Sequence, residues 1–427
     1  MKNTFETMEL APAVRLCSYE TDRFTTSRLS VSIAVPLDPA AISANTVMRN
    51  LLVRSSEDYP SVVQFRKKLE SLYGAALSTS IAKHGDTQVL RFALTIVDNK
   101  FAFDGEDISL LAAEFLFGLL FKPNLENGVF CLEELEKEKR LAIEALITAK
   151  NDKRLYAFDR CLEEMFRGEA YGSNALGTED GIAALTPEDV YTAYVNMIRG
   201  GRVQINAVGN IDASKIADLF MSYLDKISRA PYMMFTAVQY EAENIKKVTE
   251  LMPLNQGKLV IGLRAGITDP DEDYAKARIM TDIFGGGTYS RLFMNVREKM
   301  SLCYYCSARY LKEKGIIVVQ SGVEGENADV AVDAICDQLK DIANGNVTKE
   351  DLDASHRSLT DTYKTICDMP ETIDNWFFSC ESDDVVESPD EYIAKLTAVT
   401  IDDVIEAAKR VTVDTVYILR NPDEEVE

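Results

Sequence analysis

Two side chains able to do chemistry stand close together in the stretch Asp282 to Tyr310 (DIFGGGTYSRLFMNVREKMSLCYYCSARY): the guanidinium of Arg297 and the phenol of Tyr304. An arginine can grip a carbonyl or carboxylate, and a tyrosine hydroxyl can donate to a developing oxyanion. Leu292, Phe293, Val296 and Met300 recur at helical spacing, and from Leu302 the pattern turns to alternation. A helix should therefore feed a strand and bring Arg297 and Tyr304 to one junction. The plainer alternative is an arginine on a helix surface and a tyrosine packed in a sheet. Gly285, Gly286 and Gly287 are not a P-loop, which needs GxxxxGK[ST]. They are read as ending a helix with close backbone approach, or as a mobile loop beside a ligand. Cys303 and Cys306 form a CxxC; on a strand, positions three apart face opposite ways, so two core thiols are expected and not a chelating pair. Only two histidines occur, His84 in an expected turn and His356 on a polar helical stretch, and both read as surface residues. No HxxEH, HExxH or other two-histidine metal motif exists.

The elements that must position these residues follow from composition and pattern. With 427 residues, 46% of them hydrophobic, the chain has the length of two or three domains, each able to bury a core. A net charge of −23 and a pI near 4.6 argue against a nucleic-acid or anionic-membrane surface, both of which need clustered Lys and Arg. Residues 1 to 20 show no continuous apolar core of a secretory signal. The longest apolar run, Ile108 to Phe121, is interrupted by Glu114 and too short to span a bilayer. A cytoplasmic location is expected, and the eight scattered cysteines fit reduced, buried thiols.

In chain order, Arg28–Pro36 alternates as a strand, Ala41–Val53 reads as a helix, and Pro60 and Ser61 open another that closes at Tyr73 and Gly74. Strands are expected near Leu77–Ile81 and Gln88–Ile96, and helices over Ile108–Leu120, Cys131–Ala149 and Arg154–Phe166. A further helix starts at Pro187 and stops at Gly200 and Gly201, before a strand at Val203–Val208. After the less patterned Arg229–Glu243 the order restarts: Lys258–Arg264 answers the first strand and Ala275–Phe284 the first helix. LTPEDV (Leu185–Val190) and VTIDDV (Val399–Val404) hold comparable places in the two halves. Two diverged copies of about 200 residues, 1–230 and 246–427, are the economical reading, because repeats of this size imply duplicated domains and not a solenoid. Without regular βαβ alternation, each half should be α+β, a sheet covered by helices.

Four stretches carry a family resemblance: FTTSRLSVSIAVPL (Phe24–Leu37), YPSVVQFRKKLESLYGA (Tyr59–Ala75), YGSNALGTEDGIAALTPEDV (Tyr171–Val190), and GGGTYSRL followed by REKxxLxY. They are similar to landmarks of the pitrilysin-like zinc peptidases, the family of insulinase and mitochondrial processing peptidase, and most closely to its YfmF-type inactive bacterial subunits. The resemblance spans essentially the whole chain. It implies two homologous α+β domains, each a mostly antiparallel sheet under helices, that form one half of a clamshell around a chamber.

Active members carry HxxEH on the first helix: two histidines on one face bind zinc, and the glutamate takes the proton from the metal-bound water. A distal glutamate adds the third ligand. Aligning NLLVRSS (Asn50–Ser56) with the segment after that motif puts Thr46 and Asn50 at the histidine positions and Arg49 at the general base. KEKRLAIEAL (Lys137–Leu146) resembles the distal segment, with Ala145 at the ligand position and Glu138 seven residues before it. A slip of one residue would bring in Glu144 and restore one carboxylate, never two imidazoles. Thr and Asn are weak neutral ligands, Ala is none, and Arg cannot act as a base. No metal or other cofactor is therefore expected here, and zinc only in a partner. For Arg49 two roles stay open: a fixed positive charge in place of the metal, paired with Glu138 or Glu144, or a solvated arginine.

In the family, the residues matching Arg297 and Tyr304 come from the half that lacks zinc and face the peptide at the zinc of the other half. The resemblance thus implies an inactive subunit that pairs with a homologous HxxEH-bearing peptidase and binds a peptide or unfolded polypeptide through Arg297, Tyr304 and Gly285, Gly286 and Gly287. A homodimer in isolation is a further option. The alternative is a non-enzymatic scaffold, in a branch associated with modification of elongation factor P. An independent zinc metalloendopeptidase would need ligands that this sequence lacks.

Overall fold

Strands β1 (Phe5–Ala11), β2 (Val14–Glu20), β3 (Thr26–Pro36), β4 (Ala76–His84), β5 (Thr87–Val97) and β6 (Arg202–Gly209) form one sheet, ordered β1-β2-β6-β3-β5-β4. Here β2 and β6 run parallel and the other neighbours antiparallel. Strands β7 (Lys246–Leu251), β8 (Gly257–Arg264), β9 (Cys303–Leu311), β10 (Ile316–Val323) and β11 (Thr412–Arg420) form the second, ordered β7-β11-β8-β10-β9. In it β7 and β11 are parallel and the rest antiparallel. Leaving out β1, the two sheets have the same order and the same strand senses, which is the trace of a duplicated domain. The fold class is α+β, as expected. This computed structural model describes residues 3–269, 271–383 and 385–422.

Local chemistry sets the elements. Leu29, Val31 and Ile33 of β3 point into the first core, where the Ile108–Phe121 helix, apolar on nearly every side, is buried almost completely. The Ile42–Leu52 helix adds Val47, Met48, Leu51 and Leu52 to that core. The matched pair LTPEDV and VTIDDV proves to be a matched pair of capping boxes. Thr186 with Asp189 opens the Pro187–Gly200 helix, and Thr400 with Asp403 opens Ile401–Lys409. Residues 5–20, which show no clean alternation in sequence, fold as β1 and β2.

The two compact units interleave in the chain. One comprises Met1–Leu146, Ala175–Phe235 and Thr365–Ser388; the other Ile147–Asn174, Thr236–Lys364 and Pro389–Glu427. They differ from the linear halves 1–230 and 246–427 by two exchanged segments, and the physical reason is that each sheet has a second, polar face needing cover. On the first sheet, Arg28, Ser30, Arg91 and Asn206 are buried beneath the Pro370–Ser379 helix, and all four contact the fully buried Asp374 carboxylate. On the second sheet, the Lys153–Met165 helix lies against bare backbone at Gly262, where a Cβ would come within 2.6 Å of the Met165 sulfur. There the Glu250 carboxylate accepts hydrogen bonds from the Tyr156 and Tyr417 hydroxyls, each 2.6 Å, and from Arg160 Nε at 3.2 Å. Beside them the buried Arg264 pairs with Asp414 at 2.6 Å.

Candidate functional site

Thr46, Arg49 and Asn50 lie on the Ile42–Leu52 helix, and the spacing of four puts Thr46 and Asn50 on one face. Thr46 is buried, and its hydroxyl has no hydrogen-bond partner. Arg49 is half-buried and donates from Nη1 to the Thr79 hydroxyl on edge strand β4 at 3.0 Å, while its Nε is buried without a partner. Burial lowers the Arg49 pKa, and the charge of Glu138 only partly opposes that effect. No carboxylate among the described residues reaches Arg49 at ion-pair distance. The acids belong to Arg54, which bonds Glu138 at 2.6 Å and pairs with Glu134. Burial alone would lower the Arg54 pKa, but these two carboxylates raise it.

Both roles left open for Arg49 are thus corrected: it neither pairs with Glu138 or Glu144 nor stands free in solvent. Arg54 escaped the sequence reading, although Glu134 and Glu138, four apart on one helix face, signal a need for a cation between them. Ala145 is exposed two turns further along the same helix, beside the exposed Glu144. These residues do not fit zinc. The Thr46 hydroxyl and the Asn50 amide are weak neutral ligands and the Ala145 methyl is none, while Glu138, the nearest buried acid, is neutralised by Arg54. Among the described residues, no three His, Cys, Asp or Glu side chains gather in a way that could hold a metal ion.

The second motif is better exposed. Gly285 ends the Tyr274–Gly285 helix at a point where a Cβ would come within 2.5 Å of the Ala308 backbone nitrogen, so helix and β9 touch main chain to main chain. Gly286 caps that helix and Gly287 follows in the turn. The segment Leu292–Lys299 is helical as expected but winds as a π-helix, with the Met300 amide donating to the Asn295 carbonyl. This wider winding keeps Leu292 and Val296 buried and shifts the phase by its end, so Met300 is exposed and not part of the apolar stripe. Arg297, with a side chain 37% exposed, stacks over Phe293 and lies 3.4 Å from Glu298. Tyr304 is 60% exposed on edge strand β9, and its hydroxyl donates to Glu324 at 3.0 Å. That bond raises the pKa of the phenol and keeps it a neutral donor.

Three further expectations change. His84 is buried, its Nδ1 lying 3.6 Å from Glu381 and its ring packed on Phe378, because the exchanged Thr365–Ser388 segment covers the end of β4. His356 is half-buried, and burial lowers its pKa. Cys303 and Cys306 are core thiols, yet a break in strand register puts both on one face.

The duplicated α+β fold, whose first helix carries Thr46, Arg49 and Asn50, is that of a metallopeptidase-like protein. Residues 184–359 match the family model described as the peptidase M16 inactive domain. Over 404 residues, 95% of each chain, the protein is 27% identical to the "Probable inactive metalloprotease YmfF" of Bacillus subtilis. A crystal structure of a conserved protein from Enterococcus faecalis superposes with a TM-score of 0.89 at 26% identity, covering 99% of this chain and 100% of that one. The crystal structure of a peptidase M16 inactive domain from Pseudomonas fluorescens has the same fold, with a TM-score of 0.81 at 15% identity over 99% and 100% of the two chains. Over nearly its whole length the chain is therefore similar to inactive members of the M16 peptidase family. No described helix is long and apolar enough to cross a membrane.

Proposed function

We propose that this chain is the non-zinc subunit of a heteromeric cytoplasmic peptidase, pairing with a homologous HxxEH-bearing subunit to close a chamber around an extended peptide. Its contribution is to hold the peptide: Arg297 grips a backbone carbonyl or a carboxylate, and Tyr304 donates to the oxyanion formed at the partner's zinc. Gly285, Gly286 and Gly287 keep the preceding turn close against β9. The observation that carries this reading is the outward-facing Tyr304 hydroxyl, on an edge strand next to the helix of Arg297, in a chain with no metal-ligand cluster among its described residues. To act on a peptide, Tyr304 must exchange Glu324 for the substrate, a swap that its exposure permits.

The scaffold reading has one observation on its side: Tyr304 and Arg297 already have partners within the chain, Glu324 and Glu298. The deciding experiment mixes the purified chain with its HxxEH-bearing homologue and follows cleavage of an unstructured peptide. The chain alone should be inert and the mixture active. Tyr304→Phe should lower kcat/KM of the mixture on the order of 10²-fold. Activity unaffected by both Tyr304→Phe and Arg297→Ala would assign the chain to the scaffold class.

A further inference from the structure

We propose that Cys303 and Cys306 form a redox-active dithiol, which a hydroperoxide converts into an intramolecular disulfide. The inference rests on the start of β9. From Leu311 opposite Ile316 to Tyr305 opposite Gly322 the pairing with β10 is regular, but Cys303 then opposes Val323, leaving Tyr304 as an extra residue in a bulge. In an unbroken strand, positions three apart face opposite ways at a separation of about 10 Å. The extra residue turns Cys303 back to the face of Cys306, so both thiols are buried while Tyr304 between them points out. The bulge thus brings the two thiols onto one buried face, where each influences the ionisation of the other, beside Ser321, whose hydroxyl donates to the Tyr305 carbonyl at 3.0 Å. Because β9 is an edge strand paired on one side only, its bulge can tighten toward the Cα spacing of about 4.4–6.8 Å that a disulfide needs.

The surroundings set this pair apart from the other cysteines. The neighbouring Cys306 thiol does most to lower the Cys303 pKa, burial opposes it, and with Ser321 and the charge of Arg297 the thiol is brought down to about 7. Burial instead pushes Cys17 up to about 11 and Cys161 up to about 12. The thiolate is the reactive form, so Cys303 is the attacking sulfur and Cys306 the resolving one. The Cys303 thiolate attacks the terminal oxygen of the hydroperoxide; the O–O bond breaks, the alcohol leaves with a proton, and a sulfenic acid remains. The Cys306 sulfur then attacks Cys303, forming the S–S bond and releasing water. In sum, two thiols and one hydroperoxide give one disulfide, one alcohol and one water, or two waters when hydrogen peroxide is the oxidant. The resulting ring would fix Tyr304 in its outward position. This chemistry does not depend on Tyr304 meeting a peptide.

The test treats the reduced full-length protein with hydrogen peroxide at pH 7, blocks the remaining thiols with N-ethylmaleimide and reads masses of the intact chain and its peptides. The expected result is a loss of 2 Da, six of the eight cysteines still alkylated, and a Cys303–Cys306 cross-linked peptide. In Cys306→Ser, dimedone should capture a sulfenic acid at Cys303; in Cys303→Ser, both the cross-link and the adduct should vanish. Far-UV circular dichroism matching the native protein establishes that both variants fold. Eight alkylated thiols after peroxide, or oxidation that stops at Cys303 or falls on another cysteine in the native sequence, would overturn the proposal.

Discussion

Replacing Asp374 by alanine strands two buried guanidinium groups at once. The carboxylate takes Arg28 Nε at 2.8 Å and Arg91 Nη2 at 2.5 Å, and accepts from Ser30 at 2.6 Å and Asn206 at 2.9 Å. Breaking one buried ion pair by removing a partner costs about 3–5 kcal/mol, and each neutral hydrogen bond adds roughly 1. Part of this is recovered locally: Arg28 keeps Thr95 at 2.7 Å, and Arg91 keeps Asn375 at 2.8 Å and its stacking on Phe378. A net loss of about 4 kcal/mol is expected, a factor on the order of 10³ in the opening equilibrium. With two units in the chain, a single melting curve does not give a defined free energy, so the assay is native-state hydrogen exchange read by mass spectrometry. Protection should fall on β3, β5 and β6 and stay unchanged on β8, β10 and β11. Asp414→Ala, which strands Arg264 in the second unit, should reverse the pattern. Exchanging the whole cluster, as Arg28→Met, Arg91→Met and Asp374→Leu together, should restore most of the protection. A change below tenfold in Asp374→Ala, or a triple variant less protected than the single one, would refute the view that the exchanged helix is held by charge.

Acid should loosen the same segment through a second group. Burial alone would raise the Glu381 pKa, but the nearby His84 ring and the hydrogen bonds and charge of Arg202 outweigh it and hold the carboxyl at about 2, against an ordinary 4.5. Because the folded value is depressed, its contribution of about 3 kcal/mol is fully present above pH 4.5 and is lost as pH falls toward 2. Unfolding followed by tryptophan fluorescence should show this slope, and Glu381→Gln should flatten it; Trp376, the single tryptophan, lies in the same exchanged segment. Just past the Ile42–Leu52 helix, Arg54→Ala should destabilise the first unit by about 2 kcal/mol by leaving the buried Glu138 unpaired. Arg49→Ala should cost less than about 1 kcal/mol, since it removes one hydrogen bond to Thr79 and no ion pair. Hydrogen exchange on β4 and on the Leu132–Ala149 helix checks both, and equal losses would contradict the assignment of the acids to Arg54.

What could be read from sequence follows the range of the forces involved. Helix caps such as Thr186 with Asp189 and strand alternation such as Leu29, Val31 and Ile33 are local, so the order of most elements was legible. That no HxxEH or HExxH motif occurs was legible as well, because it depends on residue identity alone. Ser30 and Arg28, on the second face of β3, are buried by a helix more than 300 residues away, a contact that no local pattern announces. The same long-range cover hides His84. The bulge at Tyr304 was invisible for another reason: alternation predicts side-chain direction only while strand register is unbroken. The wide winding of Leu292–Lys299 likewise keeps the apolar residues of an ordinary helix and moves only its last one.

The positions that the resemblance aligns with the metal site, 46, 49, 50 and 145, are separated by more than four substitutions from a working site. Histidines at 46 and 50 would share one helix face, but the first would enter a fully packed position, where Thr46 is 3% exposed, and added volume strains a packed core. Glutamate at 49 would replace a cation by an anion on the helix whose end carries Arg54, near the Glu134 and Glu138 that Arg54 already neutralises. A third ligand at 145 would start from an exposed side chain. Arg54 itself would keep drawing the acids away from any cation placed among them. The ion pairs of Arg54 therefore neutralise Glu134 and Glu138 within the first unit, while in the second unit Arg297, Tyr304 and the Cys303–Cys306 pair surround one bulge at the start of β9.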